Sequence, residues 1–162
     1  MKNVDAEFEV VVDRTNFPAE GGEWDREPNK LNWTDESTGM ACMIVRNRMG
    51  ALCGYVAVTK EHPDYRKDYN EIDGEVRCHG GITYSDECSD HICHVPEPGQ
   101  PDDVWWFGFD CAHMSDFIPG HGTIRYRDFL SCSGTYRNVA YVKDEVKSLA
   151  EQLYARRRTG DV

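Results

Sequence analysis

Several signatures are missing from this chain, and each absence removes a class of function. No run of about 18 apolar residues occurs, so no membrane-spanning helix is expected. There is no G-x-x-x-x-G-K-[ST], no G-x-G-x-x-G and no G-x-S-x-G, so the common phosphate-loop, dinucleotide and serine-hydrolase signatures do not apply. None of the seven cysteines forms a C-x-x-C pair, although structural zinc usually shows two such pairs. Basic residues are scarce: 18 Lys and Arg stand against 29 Asp and Glu, a net charge of -11. That balance argues against general nucleic-acid binding, which depends on neutralising phosphates. The opening residues M-K-N-V-D-A-E-F-E place acids before any apolar stretch, so no export signal is expected. The thiols are then expected in a reducing cytoplasm. Seven is odd, so they cannot all pair internally, and most are read as buried and free.

What is present fits one globular domain over 1–162, because 40% hydrophobic and 29% charged residues suit a chain able to bury a core. Residues 1–39 read as a first strand within 5–13 and then a long irregular loop pinned by Trp24 and Trp33. Residues 40–118 read as the sheet core. Met40–Arg46 and Ala51–Val58 form a hairpin about Asn47–Gly50, with further strands at Val76–Tyr84 and Val104–Asp110. In 136–155, Val139, Val142, Val146, Leu149, Ala150 and Leu153 recur at helical spacing, opposite Lys143, Glu145, Lys147 and Glu151. S-C-S-G-T before it supplies capping candidates, and Arg156-Arg157-Arg158 reads as a solvated helix end. The expected fold is α+β: a small, mostly antiparallel sheet of about four strands with long loops, packed by one C-terminal helix.

The stretch V-W-W-F-G-F-D-C-A-H-M-S-D (104–116) sets an apolar strand against polar residues. Strand alternation puts Trp105, Phe107 and Phe109 on a core face and Trp106, Gly108 and Asp110 on the other. An aromatic wall, a gap and a carboxylate together are how a small-molecule pocket is usually lined. His79, Gly81 and Thr83 make a similar row, and the Gly80-Gly81 pair marks a bulge or a close approach of backbone to ligand. If the two strands pair, His79 and Asp110 come within reach as a histidine–carboxylate pair. Trp24, Trp33, Tyr55, Tyr65, Tyr69 and Trp106 could stack a flat ring, and Arg46, Arg48, Arg66, Lys67 and Arg77 could hold an anion. Plain packing is the competing explanation for these aromatics.

Two kinds of site follow. In the first, His79, Gly80, Gly81, Thr83, Trp106, Gly108, Asp110 and His113 bind a ligand with no cofactor. In the second, His79, Asp110, His113 and Asp116 hold a divalent metal such as zinc for hydrolysis, these being the right ligand types. The bland alternative is that Asp110 and His113 merely hold the turn after the strand. A thiol nucleophile at Cys111 is disfavoured, because alternation places it on the apolar face.

G-A-L-C-G-Y-V-A-V (50–58), H-G-G-I-T-Y (79–84), H-V-P-E-P-G (94–99), W-W-F-G-F-D-C-A-H (105–113) and Y-R-N-V-A-Y-V (136–142) together resemble a family of small phage and prophage proteins with HGG[IL]TY and WWFGFDCAH motifs. Where that pattern has Gly before the acid, this chain has Ser115-Asp116. The resemblance implies a bacterial host cytoplasm and an accessory role, and assigns no catalytic residues. By analogy with phage proteins that counter host defence, the leading expectation is a binder that sequesters a small nucleotide-like signal, with a closed homo-oligomer as one way to shield it. The alternatives are a metal-dependent hydrolase of a phosphodiester or nucleotide-type substrate, and an acidic inhibitor of a host protein.

Overall fold

The computed structural model describes residues 6–8, 22–89, 92–93, 103–120 and 134–159. Its frame is a six-stranded antiparallel sheet: β1 (Ala6–Phe8), β2 (Lys30–Thr34), β3 (Ala41–Arg46), β4 (Leu52–Val58), β5 (Tyr84–Glu87) and β6 (Trp105–Asp110), in the order β1-β2-β3-β4-β6-β5. One helix, α1 (Val139–Thr159), lies across β4 and β3. The α+β arrangement with a single C-terminal helix is therefore present.

Central β4 has all seven residues buried, because both faces of the sheet are covered. On the helix side, Ile44, Leu52, Val56, Phe107 and Phe109 meet Val142, Val146, Leu149 and Leu153. On the other side Met43, Tyr55, Ala57, Val104 and Trp106 form a second apolar cluster. Gly54 lets the helix approach: a Cβ there would fall 2.5 Å from Phe109 and 2.6 Å from Val146. The β3–β4 turn is closed by Asn47, whose Oδ1 accepts the N–H groups of Met49 and Ala51.

Four expectations need correction. The stretch read as one irregular loop contains β2, whose K-L-N-W-T pairs with β3 along its full length. Val76–Tyr84 is not a strand. Gly80 and Gly81 take positive φ values of 69° and 87°, which turn the chain, and pairing begins only at Tyr84. The helix start is capped by Asn138, whose side chain accepts Tyr141 N–H, and by Glu27, which accepts Val139 N–H; residues 131–133 of the S-C-S-G-T candidate lie outside the described residues. Arg156 is not a solvated cation: it grips Asp64, which is fully buried and also bound by Lys67.

Cys88 and Cys93 are joined as a disulfide, whereas Cys42, Cys53, Cys78 and Cys111 are free. Four of the six described cysteines are thus free, three of them buried, as expected for most of them, and the Cys88–Cys93 pair is the exception. His91, His94 and Cys132 lie outside the described residues. No helix among the described residues is long and apolar enough to cross a membrane.

Candidate metal centre

Three segments converge at one end of the sheet. The tight turn after β6 carries His113 and Asp116 and folds on itself: Asp116 N–H donates to His113 O, and His113 N–H donates to Asp116 Oδ2 at 3.0 Å. The glycine turn before β5 presents His79. The helix and its lead-in present Arg137, Tyr141 and Glu145, which are spaced by four and so share one edge.

His79 is held from three sides. Glu145 accepts its backbone N–H at 2.9 Å, Nδ1 lies 2.7 Å from the Tyr141 hydroxyl, and Nε2 lies 2.8 Å from Asp116 Oδ2. For a neutral ring, the assignment that satisfies both contacts has Nε2–H donating to Asp116 and Tyr141 O–H donating to Nδ1. Asp116 is buried, and Arg137 Nε–H donates to its other oxygen at 2.9 Å. Burial pushes the Asp116 pKa up, but hydrogen bonds from His79, the His113 backbone and Arg137 outweigh it and hold the carboxyl below its ordinary value. A charged carboxylate at neutral pH follows.

His113 Nδ1 is the exception to this satisfied network. It is inaccessible to water and makes no hydrogen bond, although it lies 3.5 Å from Asp116 Oδ2 and 3.7 Å from Asp110 Oδ1. A buried, unpaired ring nitrogen costs about 1–3 kcal/mol and calls for an explanation, an ion being one. One atom each from His79, His113 and Asp116 falls within 4.8 Å of the others. Ligands at about 2.0–2.2 Å around a tetrahedral ion are roughly 3.3–3.5 Å apart. The His113–Asp116 separation of 3.5 Å already matches, and the 2.8 Å His79–Asp116 contact needs to open by about half an ångström once its shared proton leaves. The two imidazoles, within 4.8 Å of each other, need to settle to the same spacing.

Of the eight expected ligand-site residues, His79 and His113 meet here, and Gly80 lies against the His113 ring. Gly81 completes the turn. Thr83 donates to Asp110 at 3.2 Å, and Asp110 sits at the rim, about one-third exposed. His79 finds its carboxylate in Asp116 rather than in Asp110, because the glycine turn carries it past the end of β6.

Trp106 and Gly108 are elsewhere. Trp106 is fully buried with Nε1–H toward Cys88 Sγ, and the space above Gly108 is filled by the Tyr55 ring. No face of Trp106 is open to a flat ligand. The other aromatics do not gather either: Trp24 packs on Phe117 and Tyr136, Tyr55 on Tyr84, and Tyr65 on Trp105. Arg46 is used inside the fold, bound to Asn29, Gly50 and Tyr136, and Lys67 is used by Asp64. Burial pushes the Cys111 thiol up, so it is no nucleophile at neutral pH.

A shallow groove of about 440 Å³ runs beside His79, between Arg77 and Glu145. A deeper cleft of about 480 Å³ lies at the opposite end of β4, lined by Met40, Thr59, His62, Tyr154 and Arg157, and holds none of the expected site residues. Sequence reasoning overlooked Arg137 and Tyr141. Their i, i+4 spacing with Glu145 was the available signal, but it lay beside the apolar stripe that identified the helix.

Comparison with known proteins found no matching family model, no matching curated protein and no matching solved structure.

Proposed function

We propose that the chain holds one divalent ion on His79 Nε2, His113 Nδ1 and Asp116 Oδ2 and hydrolyses a phosphodiester or nucleotide-type substrate there. The observation that carries this reading is the unpaired, buried Nδ1 of His113 facing the same carboxylate oxygen as His79 Nε2. Two imidazoles and one carboxylate are the donor set of many hydrolytic zinc sites, which keep a fourth position open. A bound ion would supply Lewis-acid polarisation of a phosphoryl oxygen and acidify water.

The chain's own groups do the rest. When Nε2 must be bare, Nδ1–H of His79 donates a hydrogen bond to the Tyr141 hydroxyl oxygen, so the ring changes tautomer without losing a partner. Arg137 fixes one oxygen of Asp116 and leaves the other facing the histidines. Asp110, at the open rim, is placed to take a proton from water. The water oxygen bonds to phosphorus, the ester P–O bond breaks, and the departing oxygen collects the proton.

Sequestration without turnover loses its main support, since Trp106 offers no stacking face. Taken with the resemblance to small phage proteins, the activity would cut a host nucleotide signal instead of storing it. Purified protein should carry zinc or manganese near one equivalent per chain and cleave bis(p-nitrophenyl) phosphate, with both lost on chelation. Absence of metal from the protein, together with no binding on titration, would overturn the reading. Release of an intact nucleotide on heat denaturation would restore the binder.

A further inference from the structure

Arg137 has one more property that holding Asp116 does not use. Its Nε–H is committed to Asp116 Oδ1, and the guanidinium lies over the Tyr141 ring with its carbon 4.8 Å from the centroid. Pinned at one N–H and along one face, the group has little freedom left. Yet Nη1 and Nη2 have no partner among the described residues, and the side chain remains 22% exposed. One N–H from each of Nη1 and Nη2 forms the end-on fork of the guanidinium, an edge that the Nε–H bond to Asp116 does not use and the geometry that pairs with a tetrahedral oxyanion.

We infer that Arg137 is the residue that recognises a phosphoryl group at this centre: one phosphoryl oxygen bonds to its Nη fork while another faces the position between His79, His113 and Asp116. The inference rests on the metal reading above. Without a dication, the carboxylates of Asp110, Asp116 and Glu145 outnumber the one guanidinium, and an anion would be repelled. With it, the balance reverses, and an anion gains both a Lewis acid and a forked donor. Tyr141 then has two jobs, since its hydroxyl orients His79 and its ring holds Arg137 flat. A neutral substrate would leave those Nη groups without a role.

The test is calorimetric titration of zinc alone into the wild-type chain and into Arg137→Lys, followed by inorganic phosphate, and separately acetate, into each zinc-loaded protein. Lysine keeps the charge but loses the fork. The expected result is zinc binding in both proteins, weaker in the variant because Asp116 loses its Nε–H partner. Phosphate should bind the zinc-saturated variant about tenfold more weakly than zinc-saturated wild type, the equivalent of one charge-assisted hydrogen bond. Acetate should bind wild type more weakly than phosphate. Equal phosphate affinity in the two proteins would overturn the role of Arg137 while leaving the metal site standing. Acetate binding as tightly as phosphate would overturn the phosphoryl assignment. Failure of zinc to bind wild type would remove the metal site and this inference with it. If Arg137→Lys does not fold, the ¹⁵N resonance of Arg137 Nε in zinc-loaded wild type serves instead: it must shift on adding phosphate, and an unmoved resonance overturns the proposal.

Discussion

The imidazole of His113 lies directly over Gly80: a Cβ on residue 80 would stand 2.1 Å from its Cε1. Gly80 also has a φ of 69°, so the position demands glycine both for its backbone and for the space above it. Gly80→Ala should cost about 1–2 kcal/mol from the backbone alone and push His113 away from Asp116. Zinc affinity, read by competition with a chromogenic chelator, should fall by about tenfold or more. An alanine variant binding zinc as wild type does would show that His113 is not a ligand.

Removing the Tyr141 hydroxyl isolates the support it gives to His79 Nδ1. Tyr141→Phe should leave the melting temperature nearly unchanged, because the ring is retained. It should weaken zinc binding by about 10–100-fold, the usual loss when a ligand histidine loses its orienting partner. A purely structural role would give the opposite pattern.

Asp116 and Asp110 should separate cleanly. Asp116→Asn removes the charge that holds His79, Arg137 and the His113 backbone, and should cost about 1.5–3 kcal/mol along with zinc binding. Asp110→Asn, at an exposed rim, should change stability by no more than about 0.5 kcal/mol and retain zinc, while lowering turnover. Comparable zinc loss in both would mean that Asp110 is itself a ligand.

Acid should weaken the fold in two stages. Burial lowers the pKa of His62, whose Nε2 lies 2.7 Å from Leu153 O and whose Nδ1 accepts Asp64 N–H. Its contribution is complete above its ordinary value of 6.5 and declines as pH falls below it. Burial raises the pKa of Asp64, but Arg156 and Lys67 more than offset this and hold it at about 2, against an ordinary 3.8. That contribution, on the order of 2 kcal/mol, is intact above the ordinary value and is lost as pH falls toward 2. Urea unfolding at pH 7, 5 and 3 should show Asp64→Asn already destabilised at pH 7 and flatter than wild type below pH 4. Parallel profiles would sink the assignment.

Trp106 should behave as core. Trp106→Ala is expected to destabilise by about 3–5 kcal/mol, whereas any ligand affinity measured on the folded fraction should not change. A selective loss of ligand binding would return Trp106 to the site.

The regular parts of the fold were legible because each rests on a local pattern. β3, β4 and β6 are short apolar, β-prone runs, the β3–β4 hairpin is closed by Asn47, and α1 repeats at threes and fours. β2 was not legible, since K-L-N-W-T has only two large apolar residues and is made a strand by its neighbour β3. The Trp106 face was misjudged for a related reason. Alternation tells which residues share a face, but not whether that face is open, and here Tyr55, Tyr84 and Cys88 close it.

For the candidate centre, the residue types offered His79, Asp110, His113 and Asp116 as possible donors; the turn after β6 brings His113 and Asp116 together with His79, whereas Asp110 stays at the rim outside that cluster. Which carboxylate His79 meets, and the part taken by Arg137, Tyr141 and Glu145, was decided only when α1 packed against the end of the sheet. Those partners stand 21 to 66 positions apart in pairs such as Asp116–Arg137 and His79–Glu145, and contacts of that range depend on tertiary packing, which no local pattern encodes.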